Sequence, residues 1–382
     1  MADSTEGTTA ESPGTSDGPG EPSTPGTPST PGASGVTDGD ELLGLAHPYR
    51  RELLAHCYRM LGSVHEAEDL VQDTYLRAWR AADRFEGRSS LRTWLYRIAT
   101  NACLTALESR GRRPLPSGLG APGDPERPVV ESPEVPWLEP MPDAMLSGGG
   151  GAATDPAAVA VSRSSTRLAL VAALQHLPAR QRAVLLLRDV LKWRAAEVAE
   201  LLDTTTASVN SALQRAHAQL EKAAPVEEEM AEPTDPEQRK LLDRYAAAFE
   251  SADTAAIVEL FREDAVWEMP PFPEWFTGRS DIATLISTQC PIGPGDGLML
   301  PTSANGQPAF ALYSKHEGGD YLPFHLQVLT LDAEGRVRQV SAFFGPHLFR
   351  QAGLPEAIPA DAPKEIPVMQ RDAGGAWVRG EG

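Results

Sequence analysis

Long apolar runs are missing from this sequence. Its 382 residues contain no run of about 18 uncharged apolar residues, the length that a membrane-spanning helix needs. The N-terminus also lacks the apolar core of a secretory signal peptide. We therefore expect a soluble protein that is not exported, does not bind membranes and works in the cytoplasm.

Cysteine is also scarce. The chain has three cysteines, Cys57, Cys103 and Cys290, which are far apart in the sequence and lie among apolar residues. This usage is typical of reduced, buried cysteines in a cytosolic protein rather than of disulfides or metal ligands. The sequence therefore predicts no metal site and no cofactor, and it argues against a redox switch.

Basic residues are fewer than acidic residues, and the net charge is −19. They are nevertheless unevenly distributed: residues 41–113 hold 12 bases against 9 acids, and residues 163–222 hold 9 against 5. Residues 1–40, by contrast, carry seven acids and no base. Two locally basic segments are thus embedded in an acidic chain, and these segments are the candidates for contact with nucleic acid.

Composition also marks the boundaries between domains. Residues 1–40 are rich in Gly, Pro, Ser and Thr and are predicted to be disordered, because they cannot bury enough apolar surface. The predicted divisions are an acidic tail (1–40), a first helical domain (41–113), a linker (114–162), a second helical domain (163–222), a short linker (223–234), an α+β domain (235–352) and a C-terminal tail (353–382).

The linker is rich in proline and contains a four-glycine run, yet it includes the apolar stretch "PWLEPMPDAML". A pure spacer has no need of Trp137, Leu138 and Met141. We expect these side chains to dock on a neighbouring domain, with the α+β domain as the favoured partner, and to serve as a regulatory contact.

The stretch "EAEDLVQDTYLRAW", residues 66–79, has the periodicity of an amphipathic helix. At about 100° per residue, Leu70, Val71, Thr74 and Ala78 fall on one side. The opposite side is an acidic stripe that includes one leucine. The residues of this stripe are Asp69, Gln72, Asp73, Leu76 and Arg80.

A later helix, "LRTWLYRIATNACLTALE", begins after Ser89 or Ser90, either of which can cap it. Its buried side is predicted to be Leu91, Leu95, Ile98 and Ala102. The other side combines cations with aromatic rings, which suits a surface that holds phosphates and stacks unpaired bases. An ordinary amphipathic helix with a solvated basic face is the alternative. The residues predicted to be exposed here are Arg92, Tyr96, Arg97 and Thr100, with Trp94 interleaved among them.

The second basic segment reads as four helices, with Pro178 at the start of the second. A short helix over Ala196 to Leu202, a turn and a final amphipathic helix have the pattern of a helix-turn-helix, whose second helix enters the major groove of DNA. A plain helical hairpin is the alternative. The predicted outward-facing residues of the last helix are Ser208, Asn210, Ser211, Gln214 and Arg215.

The segments that contain "DLVQDTYLRAW" and "LQHLPARQRAVLLL" resemble regions 2 and 4 of group IV, extracytoplasmic-function sigma-70 factors of RNA polymerase. The whole arrangement, with "PWLEPMPDA" and a long C-terminal extension, is similar to the SigG-like subgroup. The resemblance implies that the acidic stripe docks on the β′ clamp of core polymerase. It also implies that the last helix reads the −35 element of promoter DNA. The residues implied to open and hold the −10 element are Arg88, Arg92, Trp94, Tyr96, Arg97 and Asn101.

Two features depart from that family's pattern. Asp203 stands in the turn where most relatives have glycine, but aspartate adopts the left-handed conformation at modest cost, so the turn is expected to survive. Asn210 and Ala212 replace basic residues early in the last helix. Fewer phosphate contacts predict weak DNA binding by this domain alone.

The last 150 or so residues read as helices followed by alternating strands with a "DAEGR" hairpin. Their order resembles the SnoaL-like, NTF2-like cone. The predicted fold is therefore multidomain, with two all-α sigma domains and an α+β NTF2-like cone. Apolar residues of the cone are expected to line a ligand pocket or to bind the sigma domains, which makes a small-molecule ligand one candidate partner. The residues proposed for this pocket are Trp267, Met269, Trp275, Phe276, His325 and Phe343.

Some relatives of the cone are enzymes, and Glu268, His325 and Asp281 form a candidate catalytic set here. Single acids and a single histidine on amphipathic strands are more often surface or core residues, so we favour regulation over catalysis. The preferred interpretation is a sigma factor controlled in cis by its C-terminal domain. The two rivals are a helix-turn-helix regulator that acts without polymerase and a SnoaL-like enzyme fused to a DNA-binding module.

Overall fold

The computed structural model describes residues 39–87, 89–146, 166–223, 235–362, 369–371 and 377–379. Most of the predicted acidic tail, the last third of the linker, nearly all of the short linker and much of the C-terminal tail lie outside these residues. Within them, no helix is long and apolar enough to cross a membrane.

The first helical module has four helices whose ends follow local sequence signals. They are α1 (Gly39–Ala46), α2 (Arg50–Leu61), α3 (Val64–Arg80) and α4 (Leu91–Glu108). Gly62 ends α2 in the left-handed conformation, with φ of 72°. Ser63 caps α3 by accepting a hydrogen bond from Glu66 N, and Ser90 caps α4 by accepting one from Thr93 N. Both serines act as N-caps because their short hydroxyls satisfy otherwise free backbone N–H groups.

The second helical module confirms the four predicted helices. They are α5 (Leu168–Gln175), α6 (Ala179–Leu185), which continues as a π-helical turn over Leu186–Val190, α7 (Ala195–Leu201) and α8 (Thr206–Ala223). Asp203 lies in the turn between α7 and α8 with φ of 49°. The expectation that aspartate would adopt the left-handed conformation there is confirmed.

The C-terminal module has helices α9 (Asp235–Glu250), α10 (Thr254–Glu259), α11 (Arg279–Gln289) and α12 (Pro346–Gln351). Its strands are β1 (Phe261–Glu268), β2 (Trp275–Thr277), β3 (Gly297–Ala304), β4 (Gln307–Lys315), β5 (Tyr321–Leu331) and β6 (Val337–Phe344). They form a mixed sheet in the order β2-β1-β6-β5-β4-β3, in which β1 runs parallel to β6. Two further short strands, β7 (Met369–Arg371) and β8 (Trp377–Arg379), pair with each other.

The two faces of this sheet bury different partners because successive strand residues point to opposite sides. On the inner face, Phe310, Leu329 and Val340 belong to a core shared with α9, α10 and α11. On the outer face, Leu326 and Phe343 belong to a core that is continuous with those of both helical modules. The C-terminal module is therefore packed against the rest of the chain by the outer face of its sheet.

The described part of the linker, residues 114–146, is docked along its whole length. Gly123 N donates to Trp275 O, and Gln289 Nε2 donates to Pro125 O. Trp137, Leu138 and Met141 are all buried, and the Trp137 indole donates to Ser132 O within the linker. Docking extends further than predicted, because backbone groups outside the apolar stretch are also paired with the C-terminal module.

Glu139 ties the linker to the first helical module. Its Oε2 accepts hydrogen bonds from Val64 N at 2.9 Å and from Ser63 Oγ at 3.0 Å, which places a carboxylate at the N-terminus of α3. The backbone oxygen of Glu139 also accepts the Tyr58 hydroxyl at 2.8 Å. Negative charge at a helix N-terminus is stabilising because it satisfies free N–H groups and opposes the helix dipole.

Replacing Glu139 by alanine should therefore lower the free energy of unfolding of the full chain by about 1 to 2 kcal/mol, since the α3 N-terminus loses its acceptor. Urea unfolding followed by circular dichroism measures this loss. Glu134→Ala, at an exposed linker position, is the matched control and should change stability little. Equal effects of the two substitutions would contradict the role given to Glu139.

Candidate polymerase and nucleic-acid interfaces

The acidic stripe of α3 lies on the surface. Leu76 is 53% exposed, whereas Val71, Thr74 and Ala78 on the other side of the helix are buried. Asp73 forms an ion pair with Arg77 at 2.8 Å. The other stripe residues, Asp69, Gln72 and Arg80, are exposed. The periodicity therefore gave the correct faces of α3, and the stripe is open to a partner.

The basic side of α4 is less open than predicted. Arg92 makes a bidentate ion pair with Glu52, with Nε and Nη2 at 2.9 and 2.7 Å from Oε2. The Arg92 guanidinium also lies 4.9 Å from the centre of the Tyr96 ring. Trp94 is half-buried and packs on Phe85 with ring centres 5.1 Å apart. These contacts fix the two side chains at the surface of the first helical module.

The predicted exposure of Tyr96 and Thr100 is wrong. Tyr96 is 1% exposed and Thr100 is fully buried. Thr100 Oγ1 lies 2.9 Å from His56 Nε2, and burial lowers the pKa of His56 to about 3. Trp193 of the second helical module packs edge-on against Tyr96 at 6.1 Å. Analysis of α4 alone missed this burial because the covering residues come from elsewhere in the chain: His56 of α2 contacts both Tyr96 and Thr100, and Trp193 of the second helical module contacts Tyr96.

Arg97 is held by the same module. Its Nη2 donates to Glu200 Oε1 on α7 at 2.6 Å. Asn101, one turn further along α4, is exposed. Arg88 lies outside the described residues. Of the proposed −10 residues, Tyr96 and Arg97 are thus in direct contact with the second helical module.

Arg182 of α6 connects the two helical modules through buried hydrogen bonds. Its Nη1 donates to Met60 O on α2 and to Gln175 Oε1, and its Nη2 donates to Leu177 O at 3.1 Å. Burial lowers the pKa of Arg182 to about 10, which leaves the guanidinium charged at neutral pH. A buried cation that is satisfied by carbonyl oxygens fixes the relative position of the elements that carry them.

The outward face of α8 matches the prediction for a recognition helix. Ser208, Asn210, Gln214 and Arg215 are exposed, and Ser211 is half-buried. Arg215 Nη1 donates to Ser211 Oγ at 2.6 Å. The inward side is closed by Val209 and Ala216, which are fully buried. Short polar side chains and one cation are therefore presented on one continuous helical surface.

The predicted catalytic set does not converge. Glu268 is bonded to Ser341 and Gln339, which lie on the outer face of the sheet. His325 lies on the inner face, where its Nε2 is 2.8 Å from Gln327 Nε2. The sheet therefore separates Glu268 from His325, because residues on opposite faces of a strand cannot meet. Asp281 is on α11, in its first turn.

The proposed pocket residues are divided in the same way. Trp267, Met269 and Phe276 belong to the inner core, together with His325 on that face. Phe343 belongs to the outer core, and the Trp275 indole donates to Gly120 O of the linker. The alternation along β1, β2 and β6 therefore sends these residues to both faces of the sheet, so they do not share one pocket, while the alternative expectation of contact with the rest of the chain applies to Phe343 and Trp275.

Glu268 instead binds the linker. It is fully buried, and its Oε2 accepts hydrogen bonds from the backbone N and the hydroxyl of Ser117 at 3.2 and 2.7 Å. In the described part of the chain, no group of three or more His, Cys, Asp or Glu side chains is arranged to hold a metal ion. Glu268, one of the candidate catalytic residues, thus attaches the linker to the sheet.

Sequence analysis missed a residue that joins three parts of the chain. Asn305, in the turn between β3 and β4, is fully buried. Its Nδ2 donates to the Tyr58 hydroxyl at 2.8 Å and to Thr166 O at 2.6 Å. Its Oδ1 accepts Met141 N at 2.9 Å, and its own N donates to Met141 O at 2.8 Å. The signal was present, because Asn-Gly between alternating strands is a strong hairpin pattern.

The next residue pair extends this junction. Gly306 N donates to Asp143 Oδ1 of the linker at 2.9 Å, and Gln307 Oε1 accepts Leu168 N of α5 at 2.9 Å. One hairpin turn therefore contacts the first helical module, the linker and the second helical module. We call the turn residues Asn305, Gly306 and Gln307 the clasp.

Comparisons with known proteins give matches to both helical modules. Residues 45–113 match Sigma-70 region 2, and residues 167–220 match Sigma-70, region 4. The chain is 54% identical over 332 residues to the ECF RNA polymerase sigma factor SigG of Mycobacterium tuberculosis (strain ATCC 25618 / H37Rv), which covers 85% of this chain and 88% of that protein. An alignment of this length exceeds the two sigma regions, so it includes a large part of the C-terminal module.

More distant similarities are also to a sigma factor. The ECF RNA polymerase sigma factor SigJ of the same Mycobacterium tuberculosis strain is 28% identical over 219 residues, covering 57% of this chain and 61% of SigJ. The crystal structure of Mycobacterium tuberculosis extracytoplasmic function sigma factor SigJ superposes with a TM-score of 0.53 at 22% identity, covering 82% of this chain and 100% of that chain. This last likeness concerns the fold.

The contacts of Arg182 predict that Arg182→Ala weakens the attachment of the two helical modules. Three carbonyl oxygens lose their donor, so we expect a loss of at least about 3 kcal/mol in the free energy of unfolding. Small-angle X-ray scattering should show a larger radius of gyration. Arg180→Ala removes the same charge from an exposed position two residues earlier and should leave both quantities unchanged. A compact Arg182→Ala protein of normal stability would refute this assignment.

Proposed function

This chain belongs to the extracytoplasmic-function sigma factors of RNA polymerase, and from that membership we propose that it directs core polymerase to −10 and −35 promoter DNA under control of its own C-terminal module. The clasp around Asn305 carries the second half of this proposal, because it joins the C-terminal module to both sigma regions. The partners are core polymerase and promoter DNA, and the site of action is the cytoplasm.

Polymerase binding is assigned to the acidic stripe of α3. An exposed leucine among acidic and amide side chains offers an apolar contact with a polar rim, the usual composition of a protein interface. Leu76 remains 53% exposed although the other modules are docked nearby. We infer that the β′ clamp of polymerase binds Asp69, Gln72, Asp73, Leu76 and Arg80 without any prior rearrangement of the chain.

Promoter contacts are assigned to α4 for the −10 element and to α8 for the −35 element. These elements lie about 85 Å apart along DNA, since about 25 base pairs separate them at about 3.4 Å each. In this structure Arg97 of α4 touches Glu200 of α7. Only eight residues separate Glu200 from Ser208 of α8, which is at most roughly 29 Å of extended chain.

The arrangement described here is therefore a closed state that cannot span a promoter. Regions 2 and 4 must separate by tens of ångströms before both DNA elements are bound. In this state Trp193 also packs against the buried Tyr96, and Glu200 forms an ion pair with Arg97 at the surface. We infer that the closed state binds polymerase through α3 and binds promoter DNA only after region 4 has moved away.

The C-terminal module is proposed to hold this closed state. It contacts region 2 through Asn305 and Tyr58, and it contacts region 4 through Gln307 and the N-terminus of α5. A tethered module acts at millimolar effective concentration, so a few hydrogen bonds are enough to bias the equilibrium. The module thereby takes the role of an anti-sigma protein within the same chain.

The enzyme alternative has less support. Its candidate residues Glu268 and His325 lie on opposite faces of the sheet, and the Glu268 carboxylate already accepts a hydrogen bond from the Ser117 hydroxyl. In the regulatory interpretation, Glu268 holds the linker through its hydrogen bonds with Ser117. The second alternative, a helix-turn-helix regulator that acts without polymerase, is disfavoured because the chain belongs to the sigma family. This alternative also gives the acidic stripe of α3 no binding partner.

A double substitution tests the polymerase contact. Asp73→Arg with Leu76→Ala should abolish pull-down of core polymerase, because it reverses a charge and removes the apolar centre of the stripe. Helicity and melting temperature should barely change, since both side chains are at the surface. Glu108→Arg with Leu119→Ala makes the same chemical changes at exposed positions outside the stripe. Polymerase binding by a folded stripe variant equal to that of this control would disprove the docking assignment.

Run-off transcription with core polymerase tests control in cis. Asn305→Gly removes the side-chain bonds of the clasp and keeps the left-handed backbone, with φ of 57°, that glycine adopts freely. It should raise transcript yield several-fold at unchanged promoter choice, because it weakens the closed state, and cutting the chain after Met230 should also raise the yield. Gly318→Ala, in an open turn of the C-terminal module, is the control. Equal yield from wild type, Asn305→Gly and the truncated chain would remove the regulatory role.

A further inference from the structure

The turn of the clasp combines a reactive pair of residues with a buried position. Asn305 is followed by Gly306, and both have positive φ, at 57° and 68°. Asparagine followed by glycine is prone to deamidation, because glycine has no Cβ to hinder the approach of its backbone nitrogen to the asparagine amide. Of the three asparagines in the chain, only Asn305 is followed by glycine.

Deamidation of this pair would proceed in two steps. Gly306 N loses its hydrogen and attacks Asn305 Cγ, the new C–N bond closes a succinimide ring, and the Cγ–Nδ2 bond breaks. The hydrogen lost by Gly306 N reaches Nδ2 through solvent, so the leaving group is ammonia. Water then opens the ring at either carbonyl, which leaves aspartate or isoaspartate at position 305. Both steps need water at the turn.

The closed state keeps water from the reacting atoms. Asn305 is fully buried, and its Nδ2 donates to the Tyr58 hydroxyl and to Thr166 O. Neither partner supplies the proton that ammonia needs. Thr166 offers a carbonyl, and the single hydroxyl hydrogen of Tyr58 is donated to Glu139 O. Burial also raises the pKa of Tyr58 above its usual value, so this hydroxyl is a poor acid.

The linker holds the other two reacting atoms. Gly306 N donates to Asp143 Oδ1 at 2.9 Å, and Asn305 Oδ1 accepts Met141 N at 2.9 Å. Asn305 N also donates to Met141 O at 2.8 Å. The attacking nitrogen and the amide that it would attack are therefore anchored at fixed positions as long as the linker is docked.

All of these partners come from outside the C-terminal module. Tyr58 lies on α2, Met141 and Asp143 lie in the linker, and Thr166 lies just before α5. The reactive turn itself belongs to the β3–β4 hairpin of the C-terminal module. Separation of the modules would therefore remove the restraints on the turn and admit water to it in a single event.

We propose that Asn305 is a covalent modification site that deamidates when the clasp opens, and that the product prevents the clasp from closing again. This proposal rests on the closed and open states proposed above. A chain that remains open is thereby converted, over time, from a regulated form to one that stays open. The reaction needs no enzyme and no reactant other than water.

The product does not fit the closed clasp because the donor Nδ2 is replaced by a carboxylate oxygen. In the closed state this oxygen would face Thr166 O, which only accepts, and the Tyr58 oxygen, whose hydrogen is donated to Glu139 O. The Asp143 carboxylate is also held at this turn. Burying a carboxylate without a donor is costly, so the modified chain favours the open state. Isoaspartate additionally inserts one atom into the backbone of the turn.

Peptide mapping by mass spectrometry measures deamidation of the full chain at mildly alkaline pH. In urea, where the chain is unfolded, Asn305 should react faster than Asn101 and Asn210, which are followed by Ala and Ser. In the native chain Asn305 should react many-fold more slowly than it does in urea. A native rate at Asn305 equal to the rate in urea would show that the closed state does not protect the turn.

Two tyrosine substitutions separate loosening of the clasp from general effects. Tyr58→Phe removes one acceptor of Asn305 Nδ2, whereas Tyr75→Phe removes a hydroxyl that donates to Ala46 O elsewhere in the first helical module. Native deamidation of Asn305 should be several-fold faster in Tyr58→Phe and unchanged in Tyr75→Phe. Equal rates in Tyr58→Phe and wild type would overturn the link between the clasp and the reaction.

Asn305→Asp is the product itself and tests whether closing is prevented. Small-angle X-ray scattering should give a larger radius of gyration than for wild type, and hydrogen exchange at Leu168 N, which donates to Gln307 Oε1, should be faster. Asn210→Asp makes the same change at an exposed position on α8 and should alter neither. A compact Asn305→Asp chain with wild-type exchange would overturn the one-way step. These measurements use no polymerase, so their failure is distinct from a failure of the transcription test of the proposed function.

Discussion

The side chain of Asn305 holds three parts of the chain together at one buried point. Its amide satisfies the Tyr58 hydroxyl of region 2, the Thr166 carbonyl next to region 4 and the Met141 amide of the linker. None of these groups reaches water in this arrangement, so the loss of the Asn305 side chain would leave the buried Met141 amide without its acceptor, at a cost of about 1 to 3 kcal/mol. The relative positions of the modules depend on this junction because the linker and the outer face of the sheet converge on it.

The junction limits the distance between the two helices that are proposed to bind DNA. It favours a state in which α4 and α7 touch, whereas a promoter requires the −10 and −35 readers to be about 85 Å apart. The same state leaves the α3 stripe exposed. The surface proposed for polymerase on α3 and the outward face of α8 are therefore open, whereas Tyr96 and Arg97, two of the residues proposed for the −10 element, contact Trp193 and Glu200 of region 4. The proposed regulation requires a balance between closed and open states of the same chain, and the contacts of the C-terminal module in this structure stabilise the closed one.

Sequence periodicity predicted what depends on neighbouring residues along the chain. It gave the faces of α3, the order of the four helices in region 4, the left-handed Asp203 and the burial of Leu138 and Met141. It missed the three-residue strand β2, the eight-residue strand β3 and the burial of Tyr96. Tyr96 is covered by Trp193, about one hundred positions away, and no property of α4 alone contains that information. Leu138 was expected on the C-terminal module, yet its neighbour Glu139 binds the start of α3, because one linker serves two partners within a few residues.

The distance between α4 and α8 tests the account most directly. Spin labels at Asn101 and Gln214, both exposed, can be placed on a Cys290→Ser background, where the remaining cysteines are fully buried. Pulsed electron resonance should give one narrow distance well below about 80 Å for the free protein and a distance approaching about 85 Å for the complex with polymerase and promoter DNA. Asn305→Gly should broaden the distribution of the free protein towards longer distances. A free protein that already shows the long distance, or an Asn305→Gly distribution identical to that of wild type, would contradict the closed state held by the clasp.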